Sequence, residues 1–253
     1  NFVITGNATI TKRNPFESYK EYCQKTSEYQ GLEHAMQQSL FKFSGGRKGE
    51  SIADIHNEQI TAFTELMDSM LENTNELHAE VQSQIVSYTE VMKSEYKSTL
   101  AETERMMTKD IPDDKNWDGI KDFRSHVGVG PKQLNNIEPP NVLVKIWNEL
   151  KKTSPYFDNV IDIDDFFQLK KNLIYPEQPY YKHQKVTAIY NMLNTLGYYP
   201  DSNVHKERRF TAAMSDNGHA SIASFSNILL SNDESFIKKV RVAYEYLEIS
   251  TIA

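Results

Sequence analysis

"SDNGHASIASFSNILLSNDESFIKKVRVAYEYLEIST" runs from Ser215 to Thr251, and its reading decides the fold. Ser215 and Asp216 stand where a helix cap is expected, because a side-chain oxygen there accepts an orphan backbone N–H. A helix over 215–226 then delivers the chain to Ile228, Leu229 and Leu230, an apolar run short enough for a buried strand. Asp233 follows the run and caps a second helix, expected over 233–247. A further short strand is expected at 249–252. Helix, strand, helix, strand in that order favours the edge of a parallel sheet.

Working outward, residues 111–253 are punctuated by prolines at 112, 131, 139, 140, 155, 176, 179 and 200. Between them helices are expected near 141–152, 163–173 and 182–196. The first fifty residues open on a strand-like Phe2–Thr5 and a turn at Gly6 and Asn7. A helix is expected from Pro15, whose missing N–H costs little in a first turn. "SGGRKGES" at 44–51 reads as a basic loop. Residues 51–110 contain neither Gly nor Pro. Their apolar positions, among them Ile60, Phe63, Met67, Met70, Val81, Ile85, Tyr88, Met92 and Tyr96, recur at helical spacing. One helix of some 50 residues would extend roughly 75 Å, so "ENTNE" at 72–76 is read as a break. A long helical hairpin on the core is the favoured arrangement, with a projecting coiled-coil arm as the alternative. The chain is read as a single α/β domain over 1–253, helix-rich, with 51–110 as a helical segment or insertion.

The composition narrows the function classes. A net charge of −7 over 253 residues argues against a protein that coats nucleic acid, which needs a broad positive field. It leaves room for a nuclease, which needs an acidic centre and local basic patches. With Cys23 as the sole cysteine, an intramolecular disulfide and a cysteine zinc cluster are excluded within this sequence. No apolar stretch approaches the roughly 20 residues of a membrane span, and no secretion leader is visible. The expectation is a cytoplasmic protein with no membrane association.

The candidate chemistry lies in the same terminal block. His219 is three residues after Asp216, so the two share a helical face. Asp233 falls at the carboxyl end of the expected strand, the rim where open α/β sheets bind ligands. Carboxylates converging there can hold Mg²⁺ or Mn²⁺. Such an ion orients a water, lowers its pKa and stabilises the charge of an attacked phosphodiester. Against this stands the plainer reading that both aspartates are only caps and His219 a surface histidine.

The stretches "HQKVTAIYNMLNTLGYYPD" (183–201) and "RRFTAAMSDNGHASIASFSNILLSNDESFIKKVRVAYEYLEIST" (208–251) resemble the C-terminal half of PIN-like nuclease domains. In bacterial members an Asp-x-x-His pair opens a helix, and a strand ending in Thr-Asn-Asp leads to a lysine-rich helix. Here those features read "DNGH" and "SND", with Ser231 in place of the family's Thr. The resemblance implies a parallel sheet flanked by helices and a metal site containing Asp216 and Asp233, with His219 beside it. "HNEQI" (56–60) is similar to the family's early-helix segment and nominates Glu58 as a third carboxylate, both catalytic and metal-binding. The family's first strand ends in Asp, and Thr5 stands there in "FVITGN". A neutral hydroxyl is a poor Mg²⁺ ligand and no general base at pH 7.

Local positive charge for a substrate is offered by "HKERRF" (205–210), "IKKVR" (237–241) and "GGRKG" (45–49). Arg208, Arg209, Lys238 and Lys239, with Asn232 beside Asp233, are the candidate substrate-binding residues, positioning phosphates without reading sequence. "PYYKH" (179–183) offers a stacking platform for unpaired bases. "VGVGPKQLNNIEPPN" (127–141) lacks the Gly-Lys-Ser/Thr ending of a phosphate loop and is read as a rigid connector. The function expected is a metal-dependent endoribonuclease using Mg²⁺ or Mn²⁺, of the kind that serves as a toxin or defence effector. The alternative is a catalytically silent binding or scaffold protein, whose 51–110 helices meet a second copy or a partner protein.

Overall fold

A computed structural model describes residues 14–72, 74, 78–153, 157, 162–171 and 179–253. Its elements are α1 (Pro15–Thr26), a 3₁₀ turn (Ser27–Tyr29), α2 (Gln30–Phe43), α3 (Ile52–Glu72), α4 (Ala79–Thr108) and α5 (Gly119–Val127). There follow α6 (Pro131–Leu134), α7 (Val142–Thr153), α8 (Ile163–Phe166), α9 (Lys182–Leu196), α10 (Glu207–Ala223) and α11 (Glu234–Leu247). The expected α/β architecture, a parallel sheet flanked by helices, is not what the chain forms. Among the described residues the fold is helical, and the β structure is a single parallel bridge between Ile228 and Ile252.

That bridge sits where two strands were expected. Leu229 N–H donates to the Ile252 carbonyl at 2.7 Å, and Ile252 N–H to the Asn227 carbonyl at 2.9 Å. The run is not buried, however. Leu230 is 88% exposed, Ile252 70% and Ile228 59%, and Leu229 alone of the run packs on the core. A parallel sheet forms where neighbours cover both of its faces, and no further strand is present among the described residues. The expected strand Phe2–Thr5, Thr5 included, lies outside them.

The chain divides into two compact units, one of residues 1–39 and 51–112, the other of 40–50 and 113–253. In the first, the hairpin expected over 51–110 is present as α3 and α4. Ser51 and Asp54 form a capping box that starts α3, with Ser51 N–H to Asp54 Oδ2 at 2.8 Å and Asp54 N–H to Ser51 Oγ at 3.1 Å. Phe63 on α3 stacks on Tyr96 of α4 with ring centroids 4.2 Å apart. Lys93 of α4 pairs with Asp68 of α3 at 2.6 Å.

In the second unit α9 is the central helix, packed on α5, α10 and α11. Val186, Ile189, Tyr190, Leu193 and Leu196 form its buried side at helical spacing. Ile146, Trp147 and Leu150 of α7 and Phe236, Val240, Ala243 and Tyr244 of α11 complete the same core. Gly197 ends α9 in the left-handed region (φ 101°), and a Cβ there would come within 2.7 Å of Pro131 Cγ. The helix expected at 163–173 is cut to one turn, since Gln168 takes a positive φ of 57°. The one expected at 215–226 begins at Glu207 instead.

Candidate acidic site

Three segments of the second unit build the site. The loop after α9 carries Asp201, α10 carries Asp216, Asn217 and His219, and α11 carries Lys239 with Asp233 as its cap. Asp233 caps as the sequence suggests, its Oδ1 accepting the Phe236 N–H at 2.9 Å. Asp216 does not cap. It lies well inside α10, so a cap does not account for its carboxylate.

Lys239 is the residue around which the site is arranged. It falls on the buried face of α11, three residues after Phe236 and four before Ala243, and it is 0% exposed. Its Nζ lies 2.7 Å from Asp201 Oδ1, 3.4 Å from Asn194 Oδ1 and 4.5 Å from the centre of the Tyr190 ring. Burial pulls the ammonium below the usual lysine range, and the charge of Asp201, then of Asp233 and Asp216, opposes that pull. Asn194 also fixes the acid's backbone, its Oδ1 accepting the Asp201 N–H at 2.7 Å.

The three aspartates act on one another. Partial burial raises the Asp216 carboxyl above the usual range, and the charges of Asp201 and Asp233 raise it further. The Tyr190 hydroxyl is pushed up by burial and by the same three carboxylates. It is buried and has no hydrogen-bond partner among the described residues, as are Asp201 Oδ2 and Asn217 Oδ1. Each orphaned atom costs about 1–3 kcal/mol of desolvation. A buried polar atom of this kind is open to a hydrogen bond from a water, an ion or a ligand.

The other nominated residues are placed as follows. His219 Nδ1 lies 4.0 Å from Asp216 Oδ1, both side chains partly exposed. Arg208 and Arg209 are exposed in the first turn of α10, and Asn232 is exposed beside Asp233. The Lys238 ammonium rests 5.4 Å from the centre of the Tyr199 ring. Lys239, expected at the surface as a phosphate contact, is enclosed with Asp201 instead. Glu58 belongs to the first unit, where it lines a cavity of about 550 Å³ with His34, Asp54, Asn57 and Glu65. The "PYYKH" segment contributes to an aromatic row, with Tyr181 nearly parallel to His183 at 5.9 Å and His183 5.2 Å from Phe225.

No group of three or more His, Cys, Asp or Glu side chains is placed to hold a metal ion among the described residues. A carboxylate pair nevertheless suits a hydrated Mg²⁺ or Mn²⁺, because Mg²⁺ is typically held by one or two carboxylates and completed by water and substrate phosphate. Such an ion would relieve the Asp216 carboxyl, which is raised first by partial burial and then by the charges of Asp201 and Asp233.

Asp201 and the asparagines Asn191, Asn194 and Asn217 were not nominated by the sequence. The signal available for Lys239 was its position within the apolar stripe of α11; for Asp201, at the end of "GYYPD", there was none without the fold. Compared with protein-family models, with curated proteins and with solved structures, the chain matches none. No helix among the described residues is long and apolar enough to cross a membrane.

Proposed function

We propose that the chain hydrolyses RNA phosphodiester bonds at the cluster of Asp201, Asp216 and Asp233, with Mg²⁺ or Mn²⁺ as cofactor. The observation that carries this reading is Asp216. Its carboxylate is half-buried, caps no helix, and is set against two further carboxylates. Like charges gathered in partial burial destabilise the free protein, and a cation or a proton relieves them. The Asp-x-x-His and Ser-Asn-Asp segments, similar to those of PIN-like nucleases in residue type though not carried on a parallel sheet here, name the same aspartates.

Within this reading Asp216 and Asp233 would hold the ion, which when bound supplies an activated water and charge stabilisation at phosphorus. Asp233 is oriented for this by its cap bond to Phe236. Asp201 is fixed by Lys239 and by Asn194, so its second oxygen has a set direction. His219, beside Asp216, would steady that carboxylate. Exposed Arg208 and Arg209 supply phosphate contacts, and the row of Tyr181, His183 and Phe225 supplies stacking for unpaired bases.

The test is cleavage of a mixed-sequence RNA with Mn²⁺ present. The purified chain should cut it, and Asp216→Asn should reduce the rate by more than about 100-fold. Cleavage that persists in the variant retires the assignment.

A second reading, a binding or scaffold protein, is supported by one observation. Ile222, Phe225, Ile228, Leu230 and Ile252, near the parallel bridge or on the preceding helix end, are each more than half exposed. Exposed apolar groups in such number are a feature of interaction surfaces. Sedimentation of the purified chain, with and without Leu230→Asp, tests self-association through them.

A further inference from the structure

A second cavity lies against the acidic site. It has a volume of about 130 Å³ and is lined by residues of α2, α5, α9 and α10, among them Phe43, Asn191, Asn194, Thr195, Phe210 and Met214. Two of its lining residues, Asn191 and Asn194, also bond to residues of the acidic cluster or beside it. Asn194 Oδ1 takes the Lys239 ammonium at 3.4 Å and the Asp201 N–H at 2.7 Å. Asn191 Oδ1 takes the amide of Asn217, the neighbour of Asp216 in sequence, at 2.9 Å.

We propose that this cavity binds a single nucleobase of the RNA whose backbone lies at the acidic cluster. The proposal rests on the nuclease reading and adds a specificity site to it. Size is the first reason. A cavity of about 150 Å³ takes a benzene ring, so this one is on the scale of a single small planar ring. Chemistry is the second. A base has apolar faces and a polar edge, and the cavity has both counterparts. Phe210, itself packed on Phe41 with centroids 5.2 Å apart, joins Phe43 and Met214 in the apolar lining. The side-chain amide nitrogens of Asn191 and Asn194 donate no hydrogen bond among the described residues, since both oxygens rather than both nitrogens are engaged. Their N–H groups can donate to the carbonyl oxygens and ring nitrogens on a base's edge. Position is the third reason. A base held by Asn191 and Asn194 places its own sugar–phosphate within reach of the cluster those residues support.

The experiment is a titration of the full chain, followed by NMR of the side-chain amides. The four ribonucleoside 5′-monophosphates are the probes, and ribose 5-phosphate is the base-free control. At least one nucleotide should shift the Asn191 and Asn194 amides, and ribose 5-phosphate should not. Ala213→Trp, which fills the cavity, should weaken that binding at least tenfold at an unchanged Tm. If that variant does not fold, Thr195→Val serves instead and should alter which nucleotide binds best. Equal shifts from ribose 5-phosphate, or affinity unchanged in the variants, overturns the base site. Nucleotide binding in a chain that cuts no RNA keeps the base site and retires the nuclease; cutting without base-dependent binding retires the base site alone.

Discussion

The ammonium of Lys239 and the carboxylate of Asp201 lie 2.7 Å apart, with the lysine side chain wholly enclosed and the aspartate 17% exposed. A buried ion pair contributes little by comparison with a well-packed apolar pair, yet breaking one partner leaves a buried charge uncompensated, at a cost of about 3–5 kcal/mol. Asp201→Ala should therefore lose stability in that range by urea unfolding. Replacing both, Asp201→Leu with Lys239→Met, should recover much of the loss. A single variant that costs under about 1 kcal/mol would show that the pair does not hold the loop after α9.

Asp233 serves two roles that chemistry can separate. As the cap of α11 it accepts the Phe236 N–H at 2.9 Å. As a carboxylate it adds charge to the cluster. Asn caps a helix as well as Asp does, whereas Ala forfeits about 1 kcal/mol. Asp233→Asn should keep the melting temperature and lose RNA cleavage; Asp233→Ala should lose both. Full activity in the Asn variant would reduce Asp233 to a cap.

How much of this was legible in the sequence follows the range of each interaction. Local chemistry read well. Pro15 starts α1 behind its Asn14 cap, the hairpin breaks beyond Glu72, and Asp233 caps α11. Long-range pairing did not. Ile228–Leu230 has a strand's composition, but whether a strand is covered depends on segments far off in sequence, and here Leu230 is 88% exposed. Asp216 looked like a cap because "SDNG" is cap-like locally; α10 begins at Glu207, so the same residues continue a helix already formed. The Asp201–Lys239 pair spans 38 positions. Only the fold of α10 (Glu207–Ala223) and the turn after it, which lie between the two, brings it about.

The half-buried Asp216 carboxylate should cost the free protein stability, because burial and the charges of Asp201 and Asp233 disfavour its ionised form. In a chelator-containing buffer at pH 7, Asp216→Asn should melt at a higher temperature than the native sequence, the usual relation between stability and a strained functional group. Adding Mn²⁺ should raise the native Tm and leave the variant's nearly unchanged, by the mass action of an ion that binds only the folded state. Equal Mn²⁺ shifts in both proteins would remove Asp216 from the ion's ligands.

His56 gives the α3–α4 hairpin a pH dependence of its own. The ring is buried and its Nδ1 has no hydrogen-bond partner among the described residues, with Glu104 Oε2 of α4 3.7 Å away. Burial draws the imidazole below the ordinary histidine value of 6.5, and the Glu104 charge only partly offsets this. A base whose folded pKa is depressed binds fewer protons folded than unfolded. Its contribution is then present above the unfolded value of 6.5 and is lost as the pH falls through the lowered folded value. Between pH 7.5 and pH 5 the native chain should therefore lose more stability than His56→Gln, which cannot take up that proton. Circular-dichroism melts of the two proteins across this range measure the difference directly. Parallel curves, with the same fall in Tm for both, would mean that His56 takes up its proton as readily folded as unfolded, by pairing with Glu104, and that the hairpin's acid sensitivity arises elsewhere.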